Sequence, residues 1–275
     1  MMNTQNEKLT DEPTKGSILF ASTIGIYLFY IITSRLLNFL IPNYPVNSVI
    51  HIFLVLGISF GIIKLASRYG FRLNYSLGNL RGLARVLPML VIGLWYFLLK
   101  SVPQIFNQFD EWRRMGAGKN MADVLYGFSA GIWEETFLRG FLLAGLLLLF
   151  SRGKNAGIKA VVYSALTFGA MHITNLMNPG STMTGVFQQM IYAAIFGILF
   201  GVVYLNTHSL LYGVLIHSVY DFSSFMMAPA GALAGDSFIQ WGPFILVFGT
   251  MLVVSLIYLF ALRKHNEQLI EVIKK

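Results

Sequence analysis

Residues 131–150 read GIWEETFLRGFLLAGLLLLF. The run is long enough to cross the roughly 30 Å hydrocarbon core of a bilayer as one helix, yet Glu134, Glu135 and Arg139 stand inside it. A charge at the centre of a spanning helix costs roughly 2.5–3.5 kcal/mol on insertion scales, so such residues face a protein or water-filled interior and have partners. Glu135 and Arg139 are four positions apart, on one helical face and within pairing reach. Adjacent helical residues point about 100° apart, which leaves Glu134 free for another task.

Similar apolar runs lie on both sides, at about 17–37, 47–67, 86–106, 160–178, 185–205, 208–227 and 240–262, with the first run extended to about 122–150. Hydrophobic residues make up 56% of the chain and charged residues 12%, about half the charged share of an ordinary soluble domain. The expectation is an all-α polytopic transmembrane helix bundle of about eight spans. Short interfacial helices are expected at Phe71–Arg85 and Gln108–Asn120, where aromatic, basic and polar residues mix. The chain divides into a polar cytoplasmic N-terminus (1–16), N-terminal transmembrane helices and interfacial segments (17–121), a transmembrane core that carries the charged residues (122–227), and a last span with a basic cytoplasmic tail (228–275).

The net charge of +8 comes from residues in short loops, without a continuous basic patch, which argues against nucleic acid. With eight spans, one side of the membrane holds Lys8, Lys15, Lys64, Arg68, Arg72, Arg81, Arg85, Arg152, Lys154, Lys159, Arg263, Lys264, Lys274 and Lys275. The other holds Arg113, Arg114 and Lys119. This asymmetry places both termini in the cytoplasm. The absence of cysteine removes disulfides, thiolate metal sites and cysteine nucleophiles.

Two further polar groups sit in apolar runs. His172 lies in TFGAMHITN, and LIHSVYDFS carries His217 and Asp221 four positions apart. The set then comprises two adjacent carboxylates, a histidine on the next helix and a histidine–carboxylate pair two helices later. Such a set fits a catalytic or ion-handling site, and hydrolysis at such a site needs an activated water, a group to stabilise an oxyanion and an acid for the leaving group. Glu134 is the first choice to position and deprotonate that water, with His172 as its partner. Glu135 is tied to Arg139, while His217 serves as oxyanion donor or leaving-group acid and Asp221 orients it.

Three motifs in order resemble the CPBP family of intramembrane proteases, which includes type II CAAX prenyl endopeptidases and bacteriocin-processing or self-immunity proteins. EExxxR is Glu134 to Arg139, FxxxH is Phe168 to His172, and HxxxN or HxxxD is His217 to Asp221. The resemblance covers about residues 122–227. It implies an integral membrane endopeptidase with Glu134, His172, His217 and Asp221 as catalytic residues and Glu135, Arg139 and Phe168 in support. No cofactor is required by the residues alone. If a divalent metal such as zinc is used, His172, His217, Asp221 and Glu134 are the ligands at hand, although the HExxH signature is absent. Members best known for prenylated substrates carry asparagine where this chain has Asp221.

The expected function is hydrolysis of a peptide bond in a membrane-associated peptide or protein. Its setting is a bacterial cell membrane, and its partners are that substrate and the lipid bilayer. A signalling peptide, bacteriocin precursor or leader peptide is the expected kind of target. The alternatives are an ion- or proton-coupled transporter, because carboxylate, histidine and arginine in spans also make proton relays, and a non-catalytic regulatory or immunity protein. Against transport stands the lack of visible internal repeats.

Overall fold

A computed structural model describes residues 2–151, 153–178, 180–227 and 240–261. Among the described residues all regular structure is helical: α1 (Met2–Leu40), α2 (Tyr44–Arg68), α3 (Leu80–Gly93), α4 (Val102–Arg114), α5 (Ala117–Glu135), α6 (Leu143–Leu149), α7 (Ala156–Met171), α8 (Met183–Thr207), α9 (Leu211–Met227) and α10 (Trp241–Ala261). Arg152 and the basic tail from Arg263 onward lie outside the described residues, so that part of the charge asymmetry has no structural counterpart here.

Helix starts follow side chains able to accept the unpaired amide protons of a first turn. Asn43 accepts from the Val46 amide at 3.1 Å to open α2, Asn79 from Gly82 at 3.1 Å to open α3, and Thr182 from Gly185 at 3.1 Å to open α8. Lipid-facing length is another matter. Five helical stretches are long and apolar enough to cross a membrane: Thr14–Leu40, Tyr44–Arg68, Ala156–Met177, Met183–Thr207 and Trp241–Ala261. A sixth is available if α3 and the following Phe97–Arg114 stretch, bent by 69°, count as one broken span.

The expected count of eight spans is therefore not supported. The two runs that fall short are those that carry the charges. The run expected at 122–150 is one helical rod from Ala117 to Leu149, but a π-helical segment, Thr136–Leu142, interrupts it directly after Glu135. The run at 208–227 yields α9, only 17 residues long. The interfacial helix expected at Phe71–Arg85 is also corrected, since residues 71–79 form an irregular strap and helix begins only at Leu80. That strap is tied to the turn between α8 and α9. The Asn79 amide donates to the Thr207 carbonyl at 2.6 Å and the Leu210 amide to the Asn74 carbonyl at 2.8 Å. Gly78, at φ +57°, has a left-handed backbone that a side chain disfavours, and it lies against that same turn.

The packing that positions the polar groups is close-range helix contact. α5 lies against α9 and α2, and α7 against α8. On α5, Gly127 and Gly131 make a GxxxG stripe that lets backbones approach. A Cβ on Gly131 would lie 2.8 Å from the Val214 carbonyl oxygen, and one on Gly127 would lie 3.0 Å from the Ser218 carbonyl oxygen. Asp123 is a fully buried anchor. It accepts from Tyr44 at 3.0 Å, from the Trp112 indole at 2.8 Å and from Lys119, joining α2 and α4 to α5.

Candidate active site

Because α5 and α9 touch through glycine, the C-terminal end of α5 brings Glu134 and Glu135 beside His217. Glu135 Oε1 lies 3.1 Å from His217 Nδ1, Glu134 Oε2 lies 3.4 Å from Nε2, and Asp221 Oδ2 lies 3.5 Å from Nε2. A single imidazole thus has a carboxylate on Nδ1 and two more at Nε2. The hydrogen bond to Glu135 makes Nδ1 a donor and aims Nε2 between Glu134 and Asp221.

Burial separates the carboxylates into two kinds. The Glu135 side chain is 1% exposed, whereas those of Glu134 and Asp221 are each 22% exposed and line a cavity of about 300 Å³. Arg139, in the fully buried π segment, holds its Nη1 at 3.0 Å from Glu135 Oε1. Its guanidinium carbon lies 4.8 Å from the Phe168 ring centre and 5.3 Å from that of Phe200, positions that suit cation–π attraction to both rings. Glu135 is therefore shared between Arg139 and His217, a wider role than the ion pair its spacing suggests.

Phe168 sits at the junction, edge-on to His172 at 5.0 Å and to His217 at 5.9 Å between ring centres. His172 opens a 3-10 turn, His172–Met177, at the end of α7. Its Nδ1 donates to the Phe168 carbonyl at 2.9 Å, so its Nε2 is the acceptor, and the ring lines the same cavity as Glu134. The histidine within ion-pair distance of Glu134 is His217, however, whereas the sequence suggested His172. All seven residues singled out in the sequence lie around this one centre, and all but Glu135 and Arg139 line the cavity.

Among the described residues no three histidine or acidic side chains are grouped so that they could hold an ion.

Three other features were not singled out from the sequence. His51 and Arg35 both line the cavity, and the rule that flags a polar group in an apolar run applies to each. Tyr30 stacks on Trp133 at 3.9 Å and Tyr27 on Phe137 at 6.3 Å, which fixes α1 as a wall of the cavity. Gly213 leaves room for Glu135: a Cβ there would meet Glu135 Oε2 at 2.6 Å. Gly213→Ala should displace the carboxylate from both partners. The expected loss is about 1–3 kcal/mol of stability, as in other overpacked sites, together with a lower hydrolytic rate. A melting curve and a rate measurement on the same preparation check it, and unchanged values in both would mean that Glu135 has room to move.

Residues 121–223 match the family model of type II CAAX prenyl endopeptidase Rce1-like proteins. The segment is similar to an Rce1-like domain. The matched segment contains all seven residues singled out in the sequence, His217 included, and leaves Arg35 and His51 outside its limits. The match supports a likeness to the CAAX intramembrane proteases, and the apolar helices fit an integral membrane protein. No curated protein and no solved structure matches the chain.

Proposed function

We propose that the chain is an intramembrane endopeptidase that hydrolyses a peptide bond of a membrane-associated peptide or protein with a water activated by Glu134. The observation that carries this reading is the arrangement at His217. One closed side is held by Glu135 and one cavity side is flanked by Glu134 and Asp221. A structural ion pair needs only one carboxylate. Glu134 lines the cavity and adds a further carboxylate, whose Oε2 makes no aligned hydrogen bond among the described residues.

In the proposed reaction Glu134 takes a proton from water as the water oxygen bonds to the scissile carbonyl carbon. The carbonyl electron pair moves onto its oxygen, where the N–H of His217 Nε2 donates to it. His172 Nε2 accepts from the same water and fixes its direction. Collapse re-forms the carbonyl and breaks the C–N bond, and the amine nitrogen takes the proton from Glu134. Glu135 and Asp221 orient His217, and no step passes through a metal.

The test is purified protein in detergent against a panel of peptides, prenylated and unprenylated, comparing wild type with Glu134→Ala. Hydrolysis in wild type that disappears in the variant supports the reading. Equal hydrolysis in both, or none in wild type, removes it.

We also propose that both termini are cytoplasmic, from the loop charge asymmetry and an even number of spans, six with the bent pair counted as one. Because the chain has no cysteine of its own, cysteines introduced at Asn6 and Asn266 report without background. Both should be shielded from a membrane-impermeant thiol reagent in intact cells, and labelling at both would overturn the orientation.

A further inference from the structure

The strap of residues 71–79 has two unlike sides. Its inner side is fastened to the site. Phe71 is fully buried, and the Leu73 side chain rests on Gly140 of the π segment, where an added Cβ would meet it at 2.8 Å. The Tyr75 hydroxyl is hydrogen-bonded to that of Thr136, the residue after Glu135. Beyond the two backbone bonds to the turn at 207–210, the Ser209 hydroxyl donates to the Ser76 carbonyl, and that of Tyr212, in the first turn of α9, donates to the Leu77 carbonyl at 2.7 Å. The strap thus touches both the segment that follows the paired glutamates and the start of the helix that carries His217 and Asp221.

The outer side is basic. Arg68 and Arg72 stand at one end, Arg81 and Arg85 at the other, and all four are exposed. None pairs with an acidic side chain among the described residues. No aspartate or glutamate occurs between Pro13 and Phe109, so no nearby carboxylate in the chain offsets them. Arg113 and Lys119, by contrast, each reach an aspartate. Between the two arginine pairs Leu77 and Leu80 are 59% and 57% exposed. Because α2 is long and apolar enough to cross the membrane and ends at Arg68, the strap lies at a membrane face. Orientation asks only for a number of positive charges near the ends of spans. It does not ask that they sit on an ordered segment, interleaved with exposed leucine and tied to the active site. A free anion in water gains nothing from those leucines, whereas a phospholipid offers phosphate to the guanidinium groups and acyl chain to the leucines.

We propose that the outer side of the strap docks the headgroups of anionic phospholipids, and that their presence raises the hydrolytic rate through the inner side. The docking stands apart from the endopeptidase reading above, and the effect on rate rests on it. Arg81 and Arg85 share one face of α3 and repel each other. Headgroup phosphates relieve that repulsion and hold the strap against the π segment and α9.

The test places a fluorophore on a cysteine introduced at Ser76, exposed in the middle of the strap, in a chain that has no cysteine of its own. Full-length protein is reconstituted in vesicles of equal phosphatidylcholine and phosphatidylglycerol, with bromine on the acyl chains of one lipid or the other. Quenching should give phosphatidylglycerol an advantage of about fivefold or more in relative binding constant, the ratio for one arginine near an anionic surface. Replacing the four arginines by glutamine should bring the ratio to within about twofold, and replacing them by lysine should keep most of it. Salt at about 1 M should also reduce it, by screening, and needs no arginine variant to fold. Equal binding of the two lipids overturns the docking, as does a preference that survives the glutamine variant or high salt. Hydrolysis by the unlabelled wild type should be about fivefold faster with phosphatidylglycerol than in phosphatidylcholine alone, the lower end of couplings between sites, and the glutamine variant should lose the difference. Equal rates in the two lipids remove the regulation and keep the docking. A preference for phosphatidylglycerol without hydrolysis in either lipid also keeps the docking, and loses the protease and the regulation with it.

Discussion

Arg139→Leu should destabilise the protein by about 3–5 kcal/mol, the cost of stranding one partner of a buried ion pair, and remove most of its activity. The side chains of Arg139 and Glu135 are 2% and 1% exposed, so neither can turn to water when its partner is lost. The change also empties the space between the Phe168 and Phe200 rings of its cation. Glu135→Leu should be nearly as damaging. The double variant should recover much of the melting temperature, because apolar side chains at both positions need no partner. It should not recover hydrolysis, since Glu135 also holds His217 Nδ1. Melting temperatures in detergent of the wild type, both single variants and the double variant decide the matter. Additive losses with no rescue would show that the two residues do not act as a pair and would put Glu135 back among the candidate bases.

Glu134→Gln should leave the fold intact and lower the hydrolytic rate by about 10²–10⁴-fold, the range for loss of a positioned general base. Glutamine keeps the size and the cavity-facing position of the side chain but cannot take a proton from water. Because Glu134 reaches the cavity and forms no aligned hydrogen bond among the described residues, its replacement leaves no buried partner stranded. Expression, membrane insertion and melting temperature should stay near wild type. Full hydrolysis by this variant would remove Glu134 from its assigned role and leave Asp221, with the same exposure and the same imidazole nitrogen as neighbour, as the next candidate.

The charged residues were legible because lipid makes them expensive: a glutamate or histidine in an apolar run stands out against everything around it. The spacing of Glu135 and Arg139 gave their contact, since i, i+4 geometry is a property of one helix. The sharing of Glu135 with His217 was not legible. It depends on how closely α5 and α9 approach, and that distance is set by Gly127 and Gly131, whose small size says nothing about which neighbour they meet. The strap at 71–79 was read as helix from its composition, but Asn74 and Asn79 spend their backbone hydrogen bonds on the turn at 207–210. Arg35 and His51 fell outside the motifs, where the same cost of burial marks them with no sequence partner to interpret it.

The π-helical segment also bears on how this chain tolerates changes of length. A π turn closes its hydrogen bonds five residues apart instead of four, and such turns behave as one extra residue carried inside an α-helix. Deleting Phe141 or Leu142 would leave the run apolar and the spacing of Glu135 and Arg139 unaltered. If the rod then relaxed to α-helix, the lost residue would be the extra one, and later positions would keep their facing. A deletion with the π turn retained is different, since one position corresponds to a rotation of about 100°. Gly145, where an added Cβ would meet the Leu19 side chain at 3.0 Å, would then be carried away from α1. Among leucines that look interchangeable, the π turn and the number of residues between Glu135 and Gly145 thus constrain one another.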